Sequence, residues 1–324
     1  DHRDLHSFPT RRSSDLFYEF LSSLGYRVKG TTNDERITVY TTVYPLQYFT
    51  ERIGGEYVRV ETVYPPGADE HTYEPSQKDI IKIAEADLFF YIGFGLEGFA
   101  DKAEKSLANE DVTFVAAGEH IRFAEEHGED GNHEEEHHHH HDDGHHHGVI
   151  DPHVWIDPVY AKQLAATIKD ELAKKMPEQE EIFNKNYEIL AGELDSLDKR
   201  FHQLVDKAKI KKFIVSHAAY GYWEKRYGLK QISIAGISSS SEPSQKELAN
   251  IVKTAETHGL KYVFFEQNIP SKLTEIVRDA IKGESLTLHN LAVLTEEDIK
   301  NNRDYFSIME DNLKALEKGL TDTN

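Results

Sequence analysis

The chain has 324 residues, room for two lobes at roughly 150 residues each. Its 58 acidic residues against 37 basic ones give a formal charge of −21, which argues against a nucleic-acid backbone or an anionic membrane face as partner. The absence of cysteine excludes disulfides, thiolate metal sites and cysteine nucleophiles, and no apolar run approaches the roughly 20 residues that span a bilayer.

Residues 1–16 have no periodicity and read as translated adapter sequence, so 1–36 are expected to be a non-native or disordered leader. Short β-rich runs then alternate with helical patterns. In the first half the runs are 37–43, 58–63, 88–92 and 112–115; in the second they are 213–215, 231–234, 262–265 and 285–288. Strands separated by helices predict crossover connections and a mostly parallel sheet covered on both faces. The expected fold is therefore α/β: two similar lobes, each a mostly parallel four-stranded sheet flanked by helices. An internal echo supports a duplication. Glu74-Pro75-Ser76-Gln77-Lys78-Asp79 and Glu242-Pro243-Ser244-Gln245-Lys246-Glu247 each open a helix that leads to an apolar strand, with serine and acid spaced as a capping box.

Between the halves, Phe183, Tyr187, Leu190, Leu194, Leu197, Phe201 and Leu204 recur at steps of three and four. At about 1.5 Å per residue the stretch spans about 32 Å, with Pro177 just ahead of it. It predicts one long helix joining the lobes as a rigid spine. The expected division is 37–160 for the first lobe, 161–209 for the spine and 210–324 for the second lobe.

Nineteen histidines are the outlying count, and many lie in the run EEHGEDGNHEEEHHHHHDDGHHHG at 125–148. With no apolar residue, this run cannot build a core and is expected to be a disordered surface loop. Imidazole and carboxylate are ligands that borderline divalent ions accept, so weak, multiple capture of transition metals is expected there. Three further histidines sit in patterned surroundings. His71 follows the second strand, His153 lies where the chain leaves the acidic run, and His217 directly follows 213–215. Open α/β sheets place ligands at strand ends, so histidines from both halves could converge across a cleft.

The segments GADEHTYEPS, DPHVWIDP, VSHAAYGYW and GISSSSEPS resemble those of the zinc-binding solute-binding proteins of bacterial metal ABC importers. The similarity runs from about residue 37 to 320. The resemblance implies an extracytoplasmic receptor, lipid-anchored or periplasmic, that captures Zn²⁺ as transported ligand and delivers it to a membrane permease. It also implies that His71, His153 and His217 hold the ion. Relatives selective for manganese place a carboxylate where His217 stands, and three neutral imidazoles suit a four-coordinate borderline ion better. In close relatives a second-lobe carboxylate precedes the Leu294–Asp298 segment; Ala292 occupies that position here and cannot coordinate. Water, Glu70 turned inward or His289 are the alternatives, and Glu70 could equally be a solvated loop acid. Weaker or more water-exposed binding is expected from the missing carboxylate.

Two rival readings are a zinc hydrolase with a three-histidine site and a metal buffer acting through the 125–148 run. No His-Glu-x-x-His helix is present, and the chain is read as a monomeric receptor rather than an enzyme. Gly93-Phe94-Gly95-Leu96-Glu97-Gly98, with Glu119 beyond it, has the form of a dinucleotide fingerprint, but a lone match off the first strand is a weak signal. Residues 238–241 and 220–223 are expected to line the cleft near His217, with ordinary core packing as the alternative.

Overall fold

The computed structural model describes residues 35–123, 150–238, 241–268 and 271–322. Most of the leader, the whole His/acid run and Ser239–Ser240 of the serine run lie outside the described residues.

In the first half the order is β1 (Ile37–Thr41), α1 (Tyr44–Gly54), β2 (Val58–Thr62), α2 (Gln77–Ala84), β3 (Leu88–Tyr91), α3 (Ala100–Ser106) and β4 (Thr113–Ala116). Two helices follow, α4 (Pro158–Lys175) and α5 (Glu180–Lys207). The second half runs β5 (Lys212–Val215), α6 (Gly221–Tyr227), β6 (Lys230–Ser233), α7 (Gln245–Thr257), β7 (Tyr262–Phe265), α8 (Lys272–Ala280) and β8 (Glu284–Thr287). It closes with α9 (Glu296–Lys300) and α10 (Tyr305–Thr321).

Both sheets are four-stranded and parallel, in the orders β2-β1-β3-β4 and β6-β5-β7-β8. The same order twice agrees with the internal echo. Ser76 and Ser244 each accept from the backbone of the acid three residues on, Asp79 and Glu247, and each acid returns the bond. The inner strands Leu-Phe-Phe-Tyr and Tyr-Val-Phe-Phe are apolar throughout because helices cover both faces.

The spine is the 28-residue α5, entered through a 3₁₀ turn at Pro177–Gln179. Phe183, Leu190, Leu194, Leu197 and Phe201 are buried as the periodicity predicts; Tyr187 and Leu204 are half-buried, and Val205 takes the last buried position. Its first half is tied to the first lobe: Asn186 Nδ2 donates to Ile53 O at 2.9 Å, and Arg52 meets Glu193 at 2.7 Å. Its second half packs on the second lobe, with Phe201 stacked on Tyr227 and tilted on Trp223, both at 5.0 Å, and Tyr227 OH donating to Asp198. A principal apolar core is continuous across the halves, from Phe89 through Trp155, Leu194 and Phe201 to Trp223 and Tyr305. A smaller cluster around Ile214, Ile251 and Val263 belongs to the second sheet. No helix among the described residues is long and apolar enough to cross a membrane.

Candidate metal centre

Each of the three histidines is carried by a local structure that its neighbours dictate. After β2 the chain turns at Pro65-Pro66-Gly67-Ala68. Ala68 N donates to Pro65 O at 3.1 Å and Gly67 has φ +74°, a type II turn that needs glycine at its third position. Asp69 Oδ1 then accepts from His71 N at 2.9 Å. The same device recurs before the second histidine, where Asp151 Oδ1 accepts from His153 N at 3.0 Å. Such two-residue bonds are what a short acidic side chain makes in a turn. Beyond His153, Asp157 caps α4 by accepting from Val159 N and Tyr160 N, with Pro158 in the first turn. His217 leaves the C-terminal end of β5, where the strand order reverses and ligands sit in open α/β sheets.

The rings converge. His71 Nε2 lies 3.2 Å from His153 Nε2, and His217 Nε2 lies 3.3 Å from the same atom. A tetrahedron with metal–nitrogen bonds of 2.0–2.1 Å has edges of about 3.3–3.4 Å, so these separations match one ion shared among them. Glu70 completes the group: one ligand atom from each of the four residues lies within 4.8 Å of the others. The other ring nitrogens are anchored. His153 Nδ1 sits 2.7 Å from Asp151 Oδ1 and His217 Nδ1 sits 2.5 Å from Glu266 Oε1. With its Nδ1 bonded to Asp151, the His153 ring presents the Nε2 lone pair to the shared point, and Glu266 lies against the far side of the His217 ring.

Glu70 is not a solvated loop acid: it is 2% exposed. Its Oε1 accepts from Asn290 Nδ2 at 2.9 Å, while Oε2 is buried with no hydrogen-bond partner. A buried oxygen of this kind is costly unless a cation or donor arrives. Burial, and then the Glu266 carboxylate, push the Glu70 carboxyl up to about 8. Burial and the neighbouring imidazoles His153 and His217 bring His71 down to about 4, so its ring is neutral at physiological pH. Burial is the largest influence on His217 and opposes its protonation, but the Glu266 carboxylate against it, together with the nearby Glu70 and Asp69 charges, outweighs burial and the ring sits above its ordinary value.

His289 is not brought to the cluster. Its Nδ1 accepts from Leu291 N and its Nε2 faces Asp298 at 3.2 Å, which occupies both nitrogens. Ala292 is fully buried and lines a separate crevice of about 420 Å³ with Tyr44, Thr62 and Tyr64. Tyr222 and Trp223 hold the His153 segment, through Tyr222 OH to Asp151 O at 2.5 Å and Trp223 Nε1 to Ile156 O at 2.9 Å. Asp151, Glu266 and Asn290 went unnoticed in the sequence. The Asp-x-His spacing shared by 69–71 and 151–153 was a usable sign of the first; the other two carry no local signature.

The glycine-rich loop is occupied from within. Glu97 is buried and accepts from Ile92 N at 2.9 Å, Gly93 N at 3.0 Å and Thr42 Oγ1 at 2.7 Å. The two amides at the loop's entry, which a phosphate would need, already hold a carboxylate. This removes the dinucleotide reading.

The profile of the family described as zinc-uptake complex component A, periplasmic, matches residues 39–319. Zinc-binding lipoprotein AdcA of Streptococcus pneumoniae is 36% identical over 294 residues, covering 88% of this chain and 56% of its own length. The chain thus spans little more than half of that relative. High-affinity zinc uptake system protein ZnuA of Bacillus subtilis is 37% identical over 286 residues, covering 88% of each chain. Among solved structures, the Zn(II)-bound ZnuA-like domain of S. pneumoniae AdcA superposes with a TM-score of 0.72 at 33% identity, over 89% of this chain and 100% of that one. With this match spanning both sheets and all four clustered residues, the chain belongs to the zinc-uptake component A family.

Proposed function

We propose that this protein is an extracytoplasmic receptor that captures Zn²⁺ between its two lobes and hands it to the permease of an ABC importer. His71, His153, His217 and Glu70 are the proposed ligands, and residues 37–160 and 210–324 the proposed lobes on either side of the 161–209 segment. The observation that carries the reading is that His71 and His217 Nε2 both lie at tetrahedral-edge spacing from His153 Nε2, beside a buried carboxylate oxygen that lacks a partner. Zinc's two positive charges are balanced by Glu70 and Glu266, which favours a held divalent ion. A hydrolase needs an open coordination position for water; Glu70, buried beside the three imidazoles and held by Asn290, supports the receptor reading as the group to fill that position.

Competition against a chelator at fixed pH tests the reading. One tight zinc site is expected in the full chain and in a chain lacking 125–148. His217→Ala is expected to weaken that site by more than about 100-fold, beyond what loss of an outer-shell partner costs. Loss of nearly all binding with the loop deletion would favour the buffer instead.

A further inference from the structure

Position 292 carries no ligand, so the question is what the second lobe offers the fourth coordination place. The answer lies two residues upstream. Asn290 is fully buried, and every polar atom of the residue is used. Its Oδ1 accepts from Ala292 N at 3.0 Å and from Gln267 Nε2 at 3.1 Å. Its backbone N donates to Gln267 Oε1 at 3.3 Å, and its carbonyl accepts from Trp155 Nε1 at 2.7 Å. These partners fix the amide's orientation, because an oxygen facing two donors cannot be exchanged for NH₂ without losing both bonds. The amide nitrogen must then point at Glu70 Oε1, 2.9 Å away, and toward Glu266 Oε1, 3.4 Å away. The next residue, Leu291, has φ +63°, a left-handed conformation unusual for leucine. It is held there by His289 Nδ1 on one side and the Asn290–Ala292 bond on the other. Strain of that sort persists where the surroundings over-determine a functional geometry.

We propose that Asn290 is a positioning residue that sets Glu70 as the fourth ligand, so that the second lobe contributes a hydrogen-bond donor where a coordinating carboxylate is missing. The proposal rests on the metal-site reading above. Glu70 and Glu266 are two buried carboxylates that would otherwise turn apart, and one amide donating to both keeps Glu70 aimed at the imidazoles. Because Asn290 and Glu70 belong to opposite lobes, the bond exists only while the lobes are together.

The test is a double-mutant cycle on zinc affinity, measured by chelator competition on the full chain. Asn290→Ala is expected to weaken zinc binding by about 10- to 100-fold, the range for an outer-shell partner. In a Glu70→Gln background the same change should cost less than about threefold, because the group it acts through is already gone. An equal loss in both backgrounds would overturn the proposal and assign the effect to Glu266 and His217. Asn290→Ser, whose hydroxyl can still accept from Ala292 N but is too short to reach Glu70, keeps the turn and carries the test if the alanine variant fails to fold. The visible spectrum of the Co²⁺-loaded protein gives a second readout. Both position-290 variants should take on the Glu70→Gln spectrum, and retention of the parent spectrum would sink the idea. Should His217→Ala bind zinc as the parent does, the metal-site reading itself falls. Should His217→Ala lose binding while the cycle is additive, only the role of Asn290 falls.

Discussion

At the residue scale, a site is built as much by what surrounds its ligands as by the ligands. Asp151 and Glu266 each take the far nitrogen of a histidine, and Asn290 takes one oxygen of Glu70. On the proposed ligand set, the alanine at position 292 is less of a defect than its side chain suggests, because Glu70 would supply a carboxylate from the first lobe. Ala292→Glu should therefore leave zinc affinity within about threefold of the parent, or under about 0.7 kcal/mol, in a chelator competition at fixed pH. A tenfold or larger gain would mean that the fourth place is held by water. The expectation of weaker or more water-exposed binding, which follows from position 292 alone, predicts that larger gain instead. Glu97 makes the complementary point: the same residue type, equally buried, is silent because three donors satisfy it completely.

At the element scale, α5 has the most work to do, since one helix side faces two lobes. Leu194 is fully buried midway along it. Leu194→Ala should cost about 2–5 kcal/mol, read as a lower urea midpoint in equilibrium unfolding, with a single transition because the core is continuous. Two separated transitions would show that the halves unfold independently. The helix was readable in advance, because seven apolar residues at steps of three and four admit no other regular structure. So were the strands, whose apolar runs are bounded by turns and capping boxes; β1, β2 and β3 begin at the first residue of their runs. The end of β1 falls two residues short of its run, at Thr41, although Thr42 N still donates to Phe90 O on β3 at 3.1 Å. The histidines were found through their motifs, and their meeting point through the resemblance. Asn290 was not readable, because its partner is 220 residues away in sequence and nothing near it signals a buried carboxylate.

At the scale of the whole molecule, the lobes meet through more than the spine. Tyr305 OH donates to Trp155 O at 2.8 Å, Gly67 N to Leu294 O at 3.0 Å and Tyr44 N to Ala292 O at 2.8 Å. Asp157 pairs with Arg226 across the same seam. Wide opening would have to expose Trp155, Tyr305 and Trp223, all buried. Solution X-ray scattering on zinc-free and zinc-loaded protein lacking 1–36 and 125–148 should accordingly give radii of gyration of about 18 Å that differ by less than about 1 Å. A change of several ångströms would indicate a hinge that this interface forbids.

Tyr222 has a role beyond its packing. Its ring stacks on Phe123 at 6.0 Å and its hydroxyl donates to Asp151 O at 2.5 Å, so one side chain pins the backbone just before and just after the histidine-rich insert. Tension from whatever is spliced between those anchors should stop at the tyrosine before it reaches the ring of His153. That makes the junction a natural grafting point: a fluorescent reporter inserted there would leave the scaffold on either side undisturbed.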